Sequence, residues 1–128
     1  MDLEEMADRL DRAADRIGEV TERRMRNVGR VGVARIRQNA SGRPGPNVIT
    51  GAYRASWQSE TRGIPYGAEC TIGTSKPQGR RLEFGFYGPD SLGRVYAQPP
   101  FPHVQPAIGP IETALREQMR AVVGEVLA

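Results

Sequence analysis

One histidine, His103, and one cysteine, Cys70, are all that this 128-residue chain offers for imidazole or thiol chemistry. His103 lies in Phe101-Pro102-His103-Val104, with Asp90 the nearest acid before it and Glu112 the nearest after. A catalytic dyad or a metal site needs several convergent groups, so His103 reads as a surface or packing residue. Cys70 stands beside Glu69 with no adjacent cation. Nothing local favours a thiolate there, and a buried structural cysteine is expected. A single cysteine forms no disulfide within the chain and argues against a cysteine-based metal site. Gly42-x-x-Gly45 lacks the Lys-Ser/Thr of a phosphate loop, and Gly85-x-x-Gly88 lacks the helix that should follow. Paired carboxylates occur only as solvated charges over residues 2–22. No enzyme activity, cofactor or metal is expected.

Charge gives a second chemistry. There are 18 Lys+Arg against 15 Asp+Glu, a net of +3, and Lys76 is the only lysine. Arginine suits bidentate pairing at interfaces, although a GC-rich genome produces the same bias. A net of +3 is too small to argue for nucleic acid by itself. Arg43, Arg54, Arg62, Arg80 and Arg81 gather mid-chain, whereas acids concentrate near the start. With Tyr53 and Trp57 interleaved, this region could form a nucleic-acid face that stacks bases. The favoured alternative is pairing between subunits, the acidic helix of one protomer meeting the arginine-rich sheet edge of the next.

The elements that must position these groups read as follows. Residues 1–38 form a long helix, with Leu3, Met6, Leu10, Ala13, Ile17 and Val20 on one stripe at alternating steps of three and four. Glu5–Arg9 and Asp8–Arg12 are favourable i,i+4 pairs, and Asp15–Glu19 is not. After Val20 the stripe loses register. Gly18, Gly29 and Gly32 mark either a close neighbour or a bend, and two shorter helices are the alternative to one rod. Residues 39–49 are a loop containing two prolines and two glycines by Asn47, which is either mobile or ordered by a partner. Residues 50–98 have strand texture: Tyr53, Ala55 and Trp57, then Cys70, Ile72 and Thr74, then Leu82, Phe84 and Phe86 alternate with other residues. A short fourth strand is expected near Val95 to Gln98. Residues 99–109 are a proline-rich arm, and residues 110–127 a helix that starts near Pro106 or Pro110. The fold class is α+β: one domain with a long N-terminal helix, a three- to four-stranded antiparallel sheet, and a C-terminal helix packed on the sheet. Thr50-Gly51 should turn the chain into a strand, and Glu83 beside Gly85 could pair with an arginine.

Three stretches, in order, resemble a known family. Thr50-Gly51-Ala52-Tyr53-Arg54-Ala55-Ser56 is similar to a Thr-Gly-x-Leu-Arg-x-Ser element, and Leu82-Glu83-Phe84-Gly85 to a Val-Glu-Phe-Gly strand. Pro100-Phe101-Pro102-His103-Val104-Gln105-Pro106-Ala107 resembles a Pro-Phe-x-x-Pro-Ala run leading into a C-terminal helix. Behind a long N-terminal helix they resemble the phage tail-component, or head–tail joining, family typified by the gene-ten product of phage HK ninety-seven. Two departures stand out: Ser41 to Ile49 is longer and richer in Gly and Pro than the family's approach, and Tyr53 replaces its Leu.

The resemblance implies a structural virion protein: a ring in the neck that completes the tail and joins it to the DNA-filled head. A tail terminator capping the tube is the near alternative, and a nucleic-acid-binding module is the alternative from another class. Implied partners are further copies of the chain, as a hexamer or alternatively a dodecamer, the neighbouring connector and tail-tube proteins, and DNA passing through the ring. Expected ring contacts are Leu3, Met6, Leu10, Ile17, Val20, Arg54, Glu83 and Phe101. Arg43, Pro44, Asn47, Asp90 and Arg94 are expected on loops that meet adjoining rings or line the channel. Residues 1–12 are acidic and amphipathic, unlike a signal peptide, and no apolar stretch approaches the ~18–20 residues of a membrane span. The expected location is the virion, after assembly in the host cytoplasm.

Overall fold

The computed structural model describes all 128 residues. α1 runs unbroken from Leu3 to Asn39, so the single rod is correct and the two-helix alternative is not. Its 37 residues span about 55 Å. A capping box fixes the start. The Glu5 N–H donates to Asp2 Oδ1 at 2.8 Å, and the Asp2 N–H donates to Glu5 Oε2 at 3.2 Å, which satisfies two amides that a helix start leaves open. Glu5 is thereby drawn away from Arg9, and the expected Glu5–Arg9 and Asp8–Arg12 pairs are absent. The one ion pair within α1 is Glu22–Arg26. At the far end Ser41 Oγ donates to the Arg37 carbonyl at 2.7 Å.

The remaining elements are α2 (Ala52–Ala55), β1 (Gln58–Ile64), β2 (Gly67–Gly73), α3 (Gln78–Phe84), β3 (Phe86–Pro89), β4 (Val95–Gln98) and α4 (Gln105–Val126). The class is α+β, with four antiparallel strands between the two long helices. The strands form two separate ribbons. Gln58 faces Gly73 and Ile64 faces Gly67 in one; Phe86 faces Gln98 and Pro89 faces Val95 in the other.

Two expected strand segments are helical instead. Gly51 takes a φ of 83° and the Ala52 N–H donates to Thr50 Oγ1 at 3.2 Å, so the turn opens α2 rather than a strand. Tyr53 and Trp57 are four residues apart, and the helical turn sends both inward while Ala55 stays exposed. Three apolar residues at alternate positions fit either period, which is why so short a run is ambiguous. Leu82 and Phe84 likewise fall in α3. That helix stops at Gly85, whose φ of 81° favours glycine. A Cβ at Gly85 would stand 2.8 Å from the Gln98 carbonyl oxygen, so the two backbones approach closely there.

α1 is the spine, and it changes partner along its length. Ala13 and Val20, with Ile17, pack against Val122, Val126 and Met119 of α4, which runs antiparallel to it. Further along, Ile36 and Val33 join Trp57, Tyr53, Ile72, Ala107 and Ile111 in a second cluster. The stripe shifts after Val20 because the helix must now present Val28, Gly29 and Gly32 to β1 and β2 as well. Ile72 and Ile111 meet over Gly32, and there the N-terminal end of α4 touches the sheet.

Gly29 is a close approach, not a bend: a Cβ there would lie 2.9 Å from both Cys70 Sγ and Ser59 Cβ. Gly18 has nothing within 4 Å. Gly29→Ala should therefore cost stability, by about 1–2 kcal/mol once overpacking is set against helix propensity. Gly18→Ala should add up to about 1 kcal/mol. Denaturant midpoints of the two variants should move in opposite directions from the parent.

Candidate functional site

α4 begins without a side-chain cap of its own: its N-cap is Val104, and its first turn holds no acid. The cap arrives from α3. Glu83 Oε2 accepts from the His103 N–H at 2.8 Å and the Val104 N–H at 3.0 Å, and Oε1 accepts from the Gln105 N–H at 2.8 Å. A carboxylate at the amide end of a helix is favoured by both hydrogen bonding and the helix dipole. Burial pushes the Glu83 carboxyl up, but the three amides and His103 outweigh it and hold it below the ordinary carboxylate range. Glu83 is thus an internal cap. It pairs with His103 and not with an arginine, which corrects that expectation.

His103 is completely buried. Its Nδ1 lies 2.9 Å from the Phe101 carbonyl oxygen and 3.0 Å from Glu83 Oε2. Two acceptors require that Nδ1 carry the proton. Nε2, 2.5 Å from the Tyr53 hydroxyl, then accepts from it. Burial and the Glu83 charge push the Tyr53 phenol up against a smaller pull from the Trp57 indole N–H, which keeps Tyr53 a donor. Trp57 Nε1 itself is buried with no acceptor in hydrogen-bond geometry. Edge-on aromatic contacts join the Tyr53, Trp57 and His103 rings. Of the surface and packing places expected for His103, packing is the one it takes; the carboxylate beside it was not foreseen. The available signal was an evident helix whose start offered no Ser, Thr, Asp or Asn, so that its cap had to come from a distance.

Trp57 is buried and offers no face for a base to stack on, while Tyr53 is half-buried. Their outer neighbours line a cleft of 580 Å³ instead, walled by Ala40, Val48, Ile49, Ala52, Leu82 and Phe101. Arg43, Arg54 and Lys76 edge it, and none of its lining residues is acidic. Arg43 lies 3.8 Å over the Phe101 ring and donates to the Gly45 carbonyl at 3.0 Å. With Gly45 and Pro46 buried, the 39–49 loop is ordered by its own chain. Asn47 lines the cleft; Pro44 is exposed outside it. Arg54 donates to Ser41 Oγ at 3.1 Å and has no carboxylate partner.

The stripe expected to form a ring contact divides in two. Val20 is 4% exposed and Ile17 packs on the same core, so these two belong to the chain's own interior. Leu3 and Leu10 are 82% and 55% exposed, and Met6 is exposed beside them. They overhang because α4 ends level with Arg9, which donates to the Leu127 carbonyl. Covering such side chains is worth about 1.5–3 kcal/mol each.

The β3–β4 ribbon meets the α3 region through Arg81, stacked 4.0 Å over Phe86, and through Gln98, whose side-chain amide donates to the Arg81 carbonyl at 3.4 Å. Its turn is closed by Asp90, which accepts from the Leu92 and Arg94 amides and from Arg94 Nε. Asp90 and Arg94 therefore neutralise each other rather than offering free charge. Tyr87, Leu92 and Val95 stand exposed on this ribbon. Among the side chains, no cluster of three or more His, Cys, Asp or Glu groups converges, and no helix is long and apolar enough to cross a membrane. No known family, curated protein or solved structure matches the chain.

A depressed Glu83 value implies stability that is complete above about pH 4.5 and is lost as pH falls through the folded value. Glu83→Gln should flatten part of that acid limb in a denaturation series across pH. Glu83→Ala should cost about 1–3 kcal/mol at neutral pH, since it leaves buried amides open.

Proposed function

We propose that this chain is a structural subunit of an oligomeric ring in the neck of a tailed phage, where it completes the tail and joins it to the filled head. The observation that carries the reading is the convergence of the three motifs on which the family resemblance rests. They lie far apart in sequence, yet Tyr53 from the first, Glu83 from the second and His103 from the third meet in one hydrogen-bonded network. Of these three, Glu83 stands at a position its motif specifies, and Tyr53 and His103 are this chain's own additions. Tyr53, standing where the motif has Leu, supplies the hydroxyl that completes the network.

The surface supports an assembling role. A compact monomer of 14.1 kDa exposes about 6,700 Å², whereas this chain exposes 8733 Å². The excess is of the size that a stable protein–protein interface covers. It is contributed by a long rod, an apolar helix tip and a ribbon of a kind that is marginal without support. Sixfold symmetry is the proposed closure, with twelvefold the alternative; a tail terminator is the neighbouring role within the same class. Electron microscopy of lysates from the encoding phage, with a stop codon at Trp57, tests the reading. Filled heads separate from finished tails are expected, and intact virions would refute it.

A further inference from the structure

Two of the apolar features left uncovered lie at opposite ends of α1 and carry opposite charge. At the first end, Leu3, Met6 and Leu10 form an exposed stripe that begins where α4 ends and runs out along the tip. Among the first 11 residues are five carboxylates, Asp2, Glu4, Glu5, Asp8 and Asp11, against Arg9 alone. Arg9 is already engaged with the Leu127 carbonyl. None of these carboxylates is held in an ion pair: the ion pairs of the chain involve Glu22, Glu69, Glu83, Asp90 and Glu125.

At the other end, beyond Asn39, lies the cleft, apolar within and edged by Arg43, Arg54 and Lys76. These cations too are without carboxylate partners. Ile49 on its wall is 93% exposed, which is unusual for a branched apolar side chain that has no partner to meet. A chain's own tip cannot reach its own cleft, because a rigid helix of about 55 Å separates them.

We propose that the cleft receives the α1 tip of a second copy of this chain, with Leu3, Met6 and Leu10 entering between Ile49 and Phe101 while the tip carboxylates meet Arg43, Arg54 and Lys76. This contact rests on, and specifies, the ring reading above. Two different surfaces meet, so the interface is heterologous: each copy donates a tip to one neighbour and a cleft to the other, and repetition closes a ring or grows a filament. The charge arrangement also guards the direction. Tip against tip brings carboxylates together, and cleft against cleft brings cations together, so only head-to-tail docking is attractive at both levels.

The experiment uses sedimentation velocity on the full chain and two variants whose changes all lie on exposed or rim positions. Leu3→Asp with Leu10→Asp spoils the tip; Ile49→Asp with Arg54→Glu spoils the cleft. Circular dichroism and thermal melts matching the parent establish that both variants fold. The parent should assemble into a closed oligomer, and each variant alone should sediment as a monomer. An equimolar mixture should give a one-to-one dimer that grows no further, because it contains one sound tip facing one sound cleft. A variant that still assembles, or a mixture that stays monomeric while the parent assembles, overturns the docking contact and leaves the neck reading standing. A parent that is monomeric at every concentration also overturns the contact, and the phage lysates then decide the neck role separately. Head-to-tail assembly in this assay together with intact virions from the stop-codon phage would retain the contact and remove the neck reading.

Discussion

The start of α4 is the constraint on which this half of the molecule depends. A helix leaves its first amides without partners, and buried amides must find them. This helix begins at Val104 and Gln105, where no local side chain can serve, so the acceptor has to come from another element. Glu83 meets that need, and in doing so it ties the end of α3 to the start of α4 and seats His103 between them. Once His103 is fixed, its second nitrogen requires a donor, which draws in Tyr53 and with it α2. One unsatisfied helix end thus organises two short elements, α2 and α3, that have almost no apolar core of their own.

The opposite end of α4 is served in the same way. Its last turn carries no basic residue, but Arg9 and Arg16 of α1 donate to the carbonyls of Leu127 and Glu125. Cations are favoured at that end of the helix dipole. Arg23 and Arg24 grip the Glu125 carboxylate and hold it below its usual range. α4 is therefore pinned to α1 by charge at its C-terminal end, with Val122 and Val126 beside it as the apolar seam. This explains how a chain with few fully buried residues keeps two long helices in one register. It also explains where the chain stops covering itself: α1 runs on past the last carbonyl of α4, and its first apolar residues are left in solvent.

The sequence by itself determined the long elements. A three-and-four spacing as far as Val20, with no proline before Pro44, marks α1 as helical. Gly-Pro punctuation ends it, the Cys70 and Ile72 alternation marks β2, and a second apolar periodicity behind Pro106 marks α4. These signals are local: each residue's place on its own helix or strand follows from backbone geometry alone. Tertiary structure decided what each face meets. Ile17 and Leu10 share one stripe, yet one is core and the other surface, because only the length of α4 determines where the seam ends. Tyr53 to Trp57 and Leu82 to Phe84 carry too few residues for their period to choose between helix and strand, so packing against Ile36 and capping of α4 decided for them. Glu83 and His103 are 20 residues apart, and no spacing rule predicts a hydrogen bond that exists only because α3 and the start of α4 are brought into contact.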